Sequence, residues 1–276
     1  MVKALTYKFS RLVWSIYFVL TIAVVGVIFG YFLTFFIFFF AMVLSPWDRA
    51  SDGIRRFGED FQCLSIRMLL RMQPWLKCET NLYPILGFYR HYRTRRILFV
   101  ANHRSNLDTF LLISYIPGLR GLAKSSLFYN IFFSPFMVVA GFVPVSKGNQ
   151  KSLLQGLKIL GQEILQKNRA VLVFPETTRC PKGFPSMQKF SASFFSVAVE
   201  NEALVVPLVI RSTDRILGRG DFLLHPFQAT SIEMLEPIEA TAFGNFVELR
   251  DLVWQRMSSR LNVWFEEGAS LRKQTP

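Results

Sequence analysis

Ile97-Leu98-Phe99-Val100-Ala101-Asn102-His103-Arg104-Ser105-Asn106-Leu107-Asp108 is the stretch on which the fold turns. Its first five residues are an uninterrupted apolar run of the length and type of a strand buried on both faces. The polar residues that follow end that run, and Ser105 or Asn106 is a good N-cap for a helix entering at Asp108. Residues 108–116 then carry apolar side chains at helical spacing. The sequence therefore predicts a strand, a short loop bearing a histidine, and a helix. Two further apolar runs, residues 170–174 and 204–210, repeat the strand signal, and residues 151–167 repeat the helix signal. Strands alternating with helices predict an α/β fold with a mainly parallel sheet covered by helices. Residues 232–235 add a late strand, and residues 248–265 read as a C-terminal amphipathic helix.

Upstream the character is different. No charged residue occurs between Leu12 and Trp47, a run that contains Phe35, Phe36, Phe38, Phe39 and Phe40. As one helix these residues would reach about 54 Å, well beyond the roughly 30 Å of a bilayer's hydrocarbon core. Two arrangements fit: a helical hairpin turning near Gly26 and Gly30, or a tilted span continuing along the interface. The run is too long for the apolar region of a cleaved signal peptide, so residues 1–47 are expected to be a retained membrane-docking helical segment. Lys3, Lys8 and Arg11 before it and Arg49, Arg55 and Arg56 after it suit both flanks lying on one, cytoplasmic, side. Residues 48–84 form an amphipathic helical region in which Phe57, Phe61, Leu64, Met68 and Met72 recur every three or four positions. That face either packs on the domain behind it or lies in the lipid interface. The third region is 85–276.

Charge narrows the partners. The chain of 276 residues carries a formal +13, and residues 1–100 hold 13 basic against 5 acidic side chains, a net +8. Basic flanks around an apolar segment point to membrane lipids, where each Lys or Arg near an anionic surface contributes about 1 kcal/mol, and not to nucleic acid. Hydrophobic residues at 51% exclude a disordered chain. Cys63, Cys78 and Cys180 contain no C-x-x-C pair, and His91, His103 and His225 show no ligand spacing, so neither a disulfide framework nor a metal site is expected.

Two clusters carry chemistry. His103 and Asp108 are five residues apart, which on a regular helix would turn them about 140° away from each other. They meet only if the chain turns before the helix begins. In that case the carboxylate orients one imidazole nitrogen and leaves the other to accept a proton, the base-and-orienter pair of acyl transfer. The second cluster is Phe174-Pro175-Glu176-Thr177-Thr178-Arg179, again at a strand end. There Arg179 offers a fork for phosphate, and Glu176 would hold that guanidinium or a substrate hydroxyl.

Taken in order, Asn102-His103-x-Ser105-x-x-Asp108, Phe142-Val143-Pro144-Val145-Ser146-Lys147, Phe174-Pro175-Glu176-x-Thr178-Arg179 and Val205-Val206-Pro207-Leu208 resemble the four motifs of the glycerophospholipid acyltransferases. The resemblance spans about residues 80–230 and implies that residues 85–276 are the catalytic domain. It assigns His103 and Asp108 as catalytic, and Lys147, Glu176, Thr178, Arg179 and Pro207 as substrate-binding. It implies a lysophospholipid acceptor, 1-acylglycerol 3-phosphate first, acyl-CoA or acyl carrier protein as donor, and no cofactor. Three positions depart from the family pattern. Thr177 and Cys180 stand where glycine and serine are usual, and Lys147 where arginine is usual. The Cβ of Thr177 resists positive φ, so either the turn differs there or a bulkier group is tolerated. All three departures fall on the acceptor side, which leaves a larger head group open. A serine hydrolase is disfavoured because no G-x-S-x-G elbow occurs. A catalytically degenerate membrane adaptor is disfavoured by the intact His103, Asp108, Glu176 and Arg179.

Overall fold

The computed structural model describes residues 2–25, 32–43, 48–130 and 134–274. In chain order the elements begin with helices α1 (Val2–Val25), α2 (Phe32–Val43) and α3 (Asp48–Arg71), then β1 (Leu76–Cys78) and α4 (Tyr83–Tyr92). The segment that decides the fold becomes β2 (Ile97–Ala101) and α5 (Leu107–Ile113). Next come β3 (Arg120–Lys124), α6 (Ser134–Val139), β4 (Val143–Val145), α7 (Gln150–Ile159) and β5 (Val171–Val173). The chain continues through α8 (Ser193–Glu200), β6 (Leu204–Arg211), α9 (Thr213–Leu217), β7 (Gln228–Met234), β8 (Ile238–Glu239) and α10 (Phe246–Gln274).

Among the described residues the strands form one eight-stranded sheet in the order β1-β7-β6-β2-β5-β3-β4, with β8 beside β6. β2 lies between β5 and β6, parallel to both, and β6 meets β7 and β8 antiparallel. The sheet is thus mainly parallel, as the alternating pattern predicts. β1, β3 and β4 had no strand signal of their own: β3 opens with Arg120 and ends with Lys124, and β1 and β4 are only three residues long. β1 also draws part of residues 48–84 into the sheet, in register with β7.

The apolar runs are continuous because the sheet is covered on both faces. From β2, Leu98 and Val100 enter one core with Phe195 of α8 and Leu249, Val253 and Met257 of α10. Ile97, Phe99 and Ala101 enter the opposite core with Ile66 and Leu70 of α3, Ile85 of α4 and Leu111 and Leu112 of α5. α3 corrects one reading of its pattern. The stripe Phe57, Leu64, Met68 and Met72 is 49–59% exposed, whereas Glu59, Gln62, Cys63, Ile66, Leu69 and Leu70 face the domain. The helix thus carries a second, domain-facing side, and the stripe points outward. Its Glu59 carboxylate receives Arg120 Nη2 at 2.7 Å and Arg169 Nη1 at 3.1 Å, pinning α3 beneath the sheet.

α1 is long and apolar enough over Ala4–Val24 to cross a membrane by length and composition, and only 11% of it is buried. One side of it docks on the domain. Phe18 packs edge-on to the fully buried Trp75, with ring centroids 5.3 Å apart, beside Leu107, Ile216 and Leu224. Arg11 donates to the carbonyls of Leu223 and Leu224, and Ser15 Oγ accepts from Leu224 N. The turn expected near Gly26 and Gly30 lies outside the described residues.

Candidate active site

The site is built where β2, β5 and β6 end together. β2 and β6 run in register until Ala101 faces Leu208. Asn102 then continues the ladder with its side chain: Nδ2 donates to Ile210 O at 2.8 Å and Oδ1 accepts from Ile210 N at 2.7 Å. The amide thereby holds the loop after β2 against β6 as a backbone pair would.

The chain turns immediately, and His103 Nδ1 reaches Asp108 Oδ2 at 3.0 Å. The same carboxylate oxygen accepts the backbone N–H groups of Arg104 and Ser105, each at 2.7 Å. Its other oxygen accepts the hydroxyl of Thr213 at 2.6 Å. Neither Ser105 nor Asn106 caps α5 in the simple way expected. Asn106 makes no side-chain cap, while Ser105 Oγ accepts from Leu107 N at 3.2 Å and donates to Leu217 O at 2.6 Å. Asp108, on the first turn of α5, folds back to satisfy the loop's amides and is fully buried.

This geometry fixes a tautomer. A carboxylate already accepting two backbone N–H groups and a hydroxyl is an acceptor only, so the neutral imidazole carries its proton on Nδ1. Nε2 is left with its lone pair free. The His103 side chain keeps 19% of its surface exposed, and its ring stacks on Phe174 at 4.2 Å between centroids and 24° between planes. The imidazole is therefore held edge-on by Asp108 and from one face by Phe174.

Glu176 occupies a different place from the one expected. Its carboxylate is buried: Oε1 accepts His103 N at 2.9 Å, and Oε2 accepts Gln188 N at 3.0 Å and Cys180 Sγ at 3.2 Å. It ties the loop after β5 to the histidine's own backbone instead of holding Arg179 or presenting itself to solvent. Arg179 is half-buried and makes no hydrogen bond or ion pair among the described residues; Lys147 is exposed and equally free. These two cations are left available to an anionic ligand. Thr178 contributes its carbonyl to Gln188 Nε2 at 3.1 Å.

Thr177 decides between the two arrangements open to it. It adopts φ of 59°, the left-handed turn that a glycine would take. The turn is thus kept, and the Cβ is strained instead. Cys180 lies against the same carboxylate. Burial, together with the negative charge of Glu176, pushes its thiol up to about 12, so it stays protonated and serves as a weak donor.

Pro207 is buried in the middle of β6, level with Val100 of β2, and does not line the mouth of the site. Its carbonyl accepts Leu235 N at 2.9 Å on the side where β8 gives way to β7. A residue without an N–H fits there because the antiparallel partner is interrupted. Thr213, Gln188 and Asn102 complete the site, and nothing in sequence singled out the first two. Ser212-Thr213-Asp214 reads as an ordinary helix start, and its partner Asp108 is 105 residues away.

Residues 86–211 match the family model described as Acyltransferase. A 1-acyl-sn-glycerol-3-phosphate acyltransferase of Cocos nucifera is 24% identical over 214 residues, covering 75% of this chain and 65% of that protein. The Saccharomyces cerevisiae protein of the same name is 33% identical over 123 residues, covering 44% of this chain and 40% of its own length. The chain thus spans less than two thirds of either relative. Among solved structures, the 1-acyl-sn-glycerophosphate (LPA) acyltransferase PlsC of Thermotoga maritima superposes with a TM-score of 0.67 at 19% identity, covering 92% of this chain and 97% of that one. That likeness is one of fold.

Proposed function

We propose, from the match of residues 86–211 to the acyltransferase family model, that the chain moves a fatty acyl chain from acyl-CoA or acyl carrier protein to the free hydroxyl of a lysophospholipid. The acceptor in this reading is 1-acylglycerol 3-phosphate, and the product is phosphatidic acid. The observation that carries it is the His103–Asp108 pair: one nitrogen held at 3.0 Å by a buried carboxylate, the other free at a partly exposed edge.

In this mechanism His103 Nε2 takes the proton of the acceptor hydroxyl as its oxygen attacks the thioester carbonyl. Collapse of the tetrahedral intermediate breaks the carbon–sulfur bond, and the proton passes from Nε2 to the departing thiolate. A positioned base of this kind contributes typically 10²–10⁴-fold. Asp108 keeps the imidazole in the tautomer the step requires and offsets the charge of the imidazolium. Arg179 and Lys147 take the acceptor's phosphate. Glu176 supports the loop from behind.

The same reading places the protein on a membrane, with the site on the cytoplasmic face. α1 and the outward stripe of α3 supply apolar contact, and the N-terminal basic residues meet anionic head groups. The test is an acceptor panel with purified protein in detergent. Thioester consumption should be fastest with lysophosphatidic acid against lysophosphatidylethanolamine, lysophosphatidylglycerol and glycerol 3-phosphate, and His103→Ala should abolish it. Absence of thioester cleavage with every lysolipid would point instead to a membrane adaptor of the same fold.

A further inference from the structure

We propose that Thr213 is a positioning residue for the transfer reaction, acting through Asp108; the inference rests on the reading of His103 as the base. Asp108 is the only acceptor for the Thr213 hydroxyl among the described residues, at 2.6 Å, and both residues are fully buried. The bond falls on Oδ1, the oxygen that does not touch His103. The backbone amides of Arg104 and Ser105 and the imidazole share Oδ2, so among the described residues Thr213 is the hydrogen-bond donor that sets the rotation and charge of the carboxylate from its far side.

The chain is shaped around this contact. Ser212 adopts φ of 66°, a left-handed conformation that a residue with a Cβ takes only under strain, to turn β6 into α9 at Thr213. Asn102 locks Ile210 just before that turn, and Ser105 Oγ holds Leu217 O just after it. Arg104 lies 3.6 Å from Asp214, the next residue along. Four contacts therefore join the segment 210–217 to the segment 102–108, and the strain is carried by the residue that aims the hydroxyl. The role of β6 in the site is to present Thr213, a role that its buried Pro207 does not share.

Loss of the hydroxyl leaves the buried carboxylate one donor short, so more of its charge acts on the imidazole and favours the imidazolium. The charged and titratable groups around the imidazole are Asp108 and Arg104 of its own segment, Glu176 and Cys180 from the loop after β5, and Asp214 behind Arg104. None of them replaces the lost donor, because Glu176 and Cys180 satisfy each other and Arg104 lies against Asp214.

Two measurements on full-length protein test this. In the first, Thr213→Val and Thr213→Ala lower kcat by about 10- to 100-fold with KM within about twofold, and Thr213→Ser restores most of the rate. The second does not depend on activity: the pH profile of His103 modification by diethyl pyrocarbonate, read by mass spectrometry across the histidine titration range. Its midpoint should rise in Thr213→Val and Thr213→Ala and return in Thr213→Ser. An unchanged midpoint in Thr213→Val or Thr213→Ala overturns the proposal, whether or not the wild type transfers acyl groups. A wild type inert toward every thioester and lysolipid, with the midpoint moved as stated, would leave the Asp108–Thr213 coupling standing and remove the acyl-transfer reading.

Discussion

At the scale of single residues, the proposed reaction divides the site into groups that would face the ligand and groups that hold them. Glu176 belongs to the second kind. Its two oxygens are taken by His103 N, Gln188 N and Cys180 Sγ, so Glu176→Gln keeps the shape but forces an amide against N–H donors. We expect its loss to appear in kcat and in stability, by roughly 1–3 kcal/mol in urea unfolding, with little change in KM for the phosphate-bearing acceptor. Arg179→Ala should behave in the opposite way, raising acceptor KM at least tenfold with unchanged stability. Equal KM effects from the two variants would contradict the division. Thr177 gives a stability prediction. Thr177→Gly removes about 1–2 kcal/mol of left-handed strain and adds roughly 0.5–1 kcal/mol of unfolded-chain entropy. The midpoint of thermal unfolding should hold or rise slightly; a clear fall would show that the Thr177 side chain has a stabilising contact.

At the scale of elements, α1 and α3 are fastened to the domain by polar contacts that titrate or break. His225 Nδ1 lies 3.0 Å from Tyr7 Oη of α1, and Lys182 Nζ lies 3.0 Å from His225 Nε2. Burial, with the positive charges of Lys182 and Arg11, holds His225 below its ordinary 6.5. The folded protein therefore resists the proton that the unfolded chain accepts. The stability from this contact is complete above pH 6.5 and is lost as pH falls below it. Burial alone would raise Asp221, but Lys182 and the Gly218 amide outweigh it and hold the carboxyl below its ordinary range, so its contribution also fades with acid. Thermal unfolding should thus steepen in its pH dependence below about 6.5, and His225→Gln should flatten that slope. Beneath the sheet, Glu59 stands between Arg120 and Arg169. Removing it in Glu59→Leu takes the shared carboxylate from two half-buried guanidinium groups, a loss of about 1–3 kcal/mol readable in urea unfolding.

At the scale of the whole molecule, the apolar surface is gathered on the helices that precede the domain. α1 leaves Leu5, Phe9, Leu12, Ile16 and Leu20 exposed, α2 leaves Phe32 and Phe35, and α3 leaves Phe57, Leu64 and Met68, with Met72 just past its end. Phe222, 97% exposed, sits in the loop whose Leu223 and Leu224 carbonyls are held by Arg11. If this surface meets lipid as proposed, Phe57→Ser, Leu64→Ser and Met68→Ser combined should weaken binding to anionic vesicles by at least tenfold, since each buried apolar side chain contributes on the order of 1 kcal/mol or more. Vesicle sedimentation with and without salt checks it. Binding unchanged by the triple substitution would assign attachment to α1 and α2 alone.

The α/β class, the central strands and the helices over them were legible in the order of residues alone, because a strand buried on both faces must be apolar at every position and that pattern is local. The same order also put His103 and Asp108 within six residues of one another around a helix start, and the fold brings the two side chains together at 3.0 Å. The sequence could not find β1, β3 and β4, whose three- to five-residue segments gain their pairing from neighbours already in place. Nor could it tell which side of α3 faces the domain, because both sides are apolar and only packing separates them. Most of all, it took the folded chain to turn Glu176 inward, bury Pro207 and bring Thr213 to Asp108. Those contacts join residues about 70 to 105 positions apart, and such pairs are brought together by the register of parallel strands, which local pattern does not record.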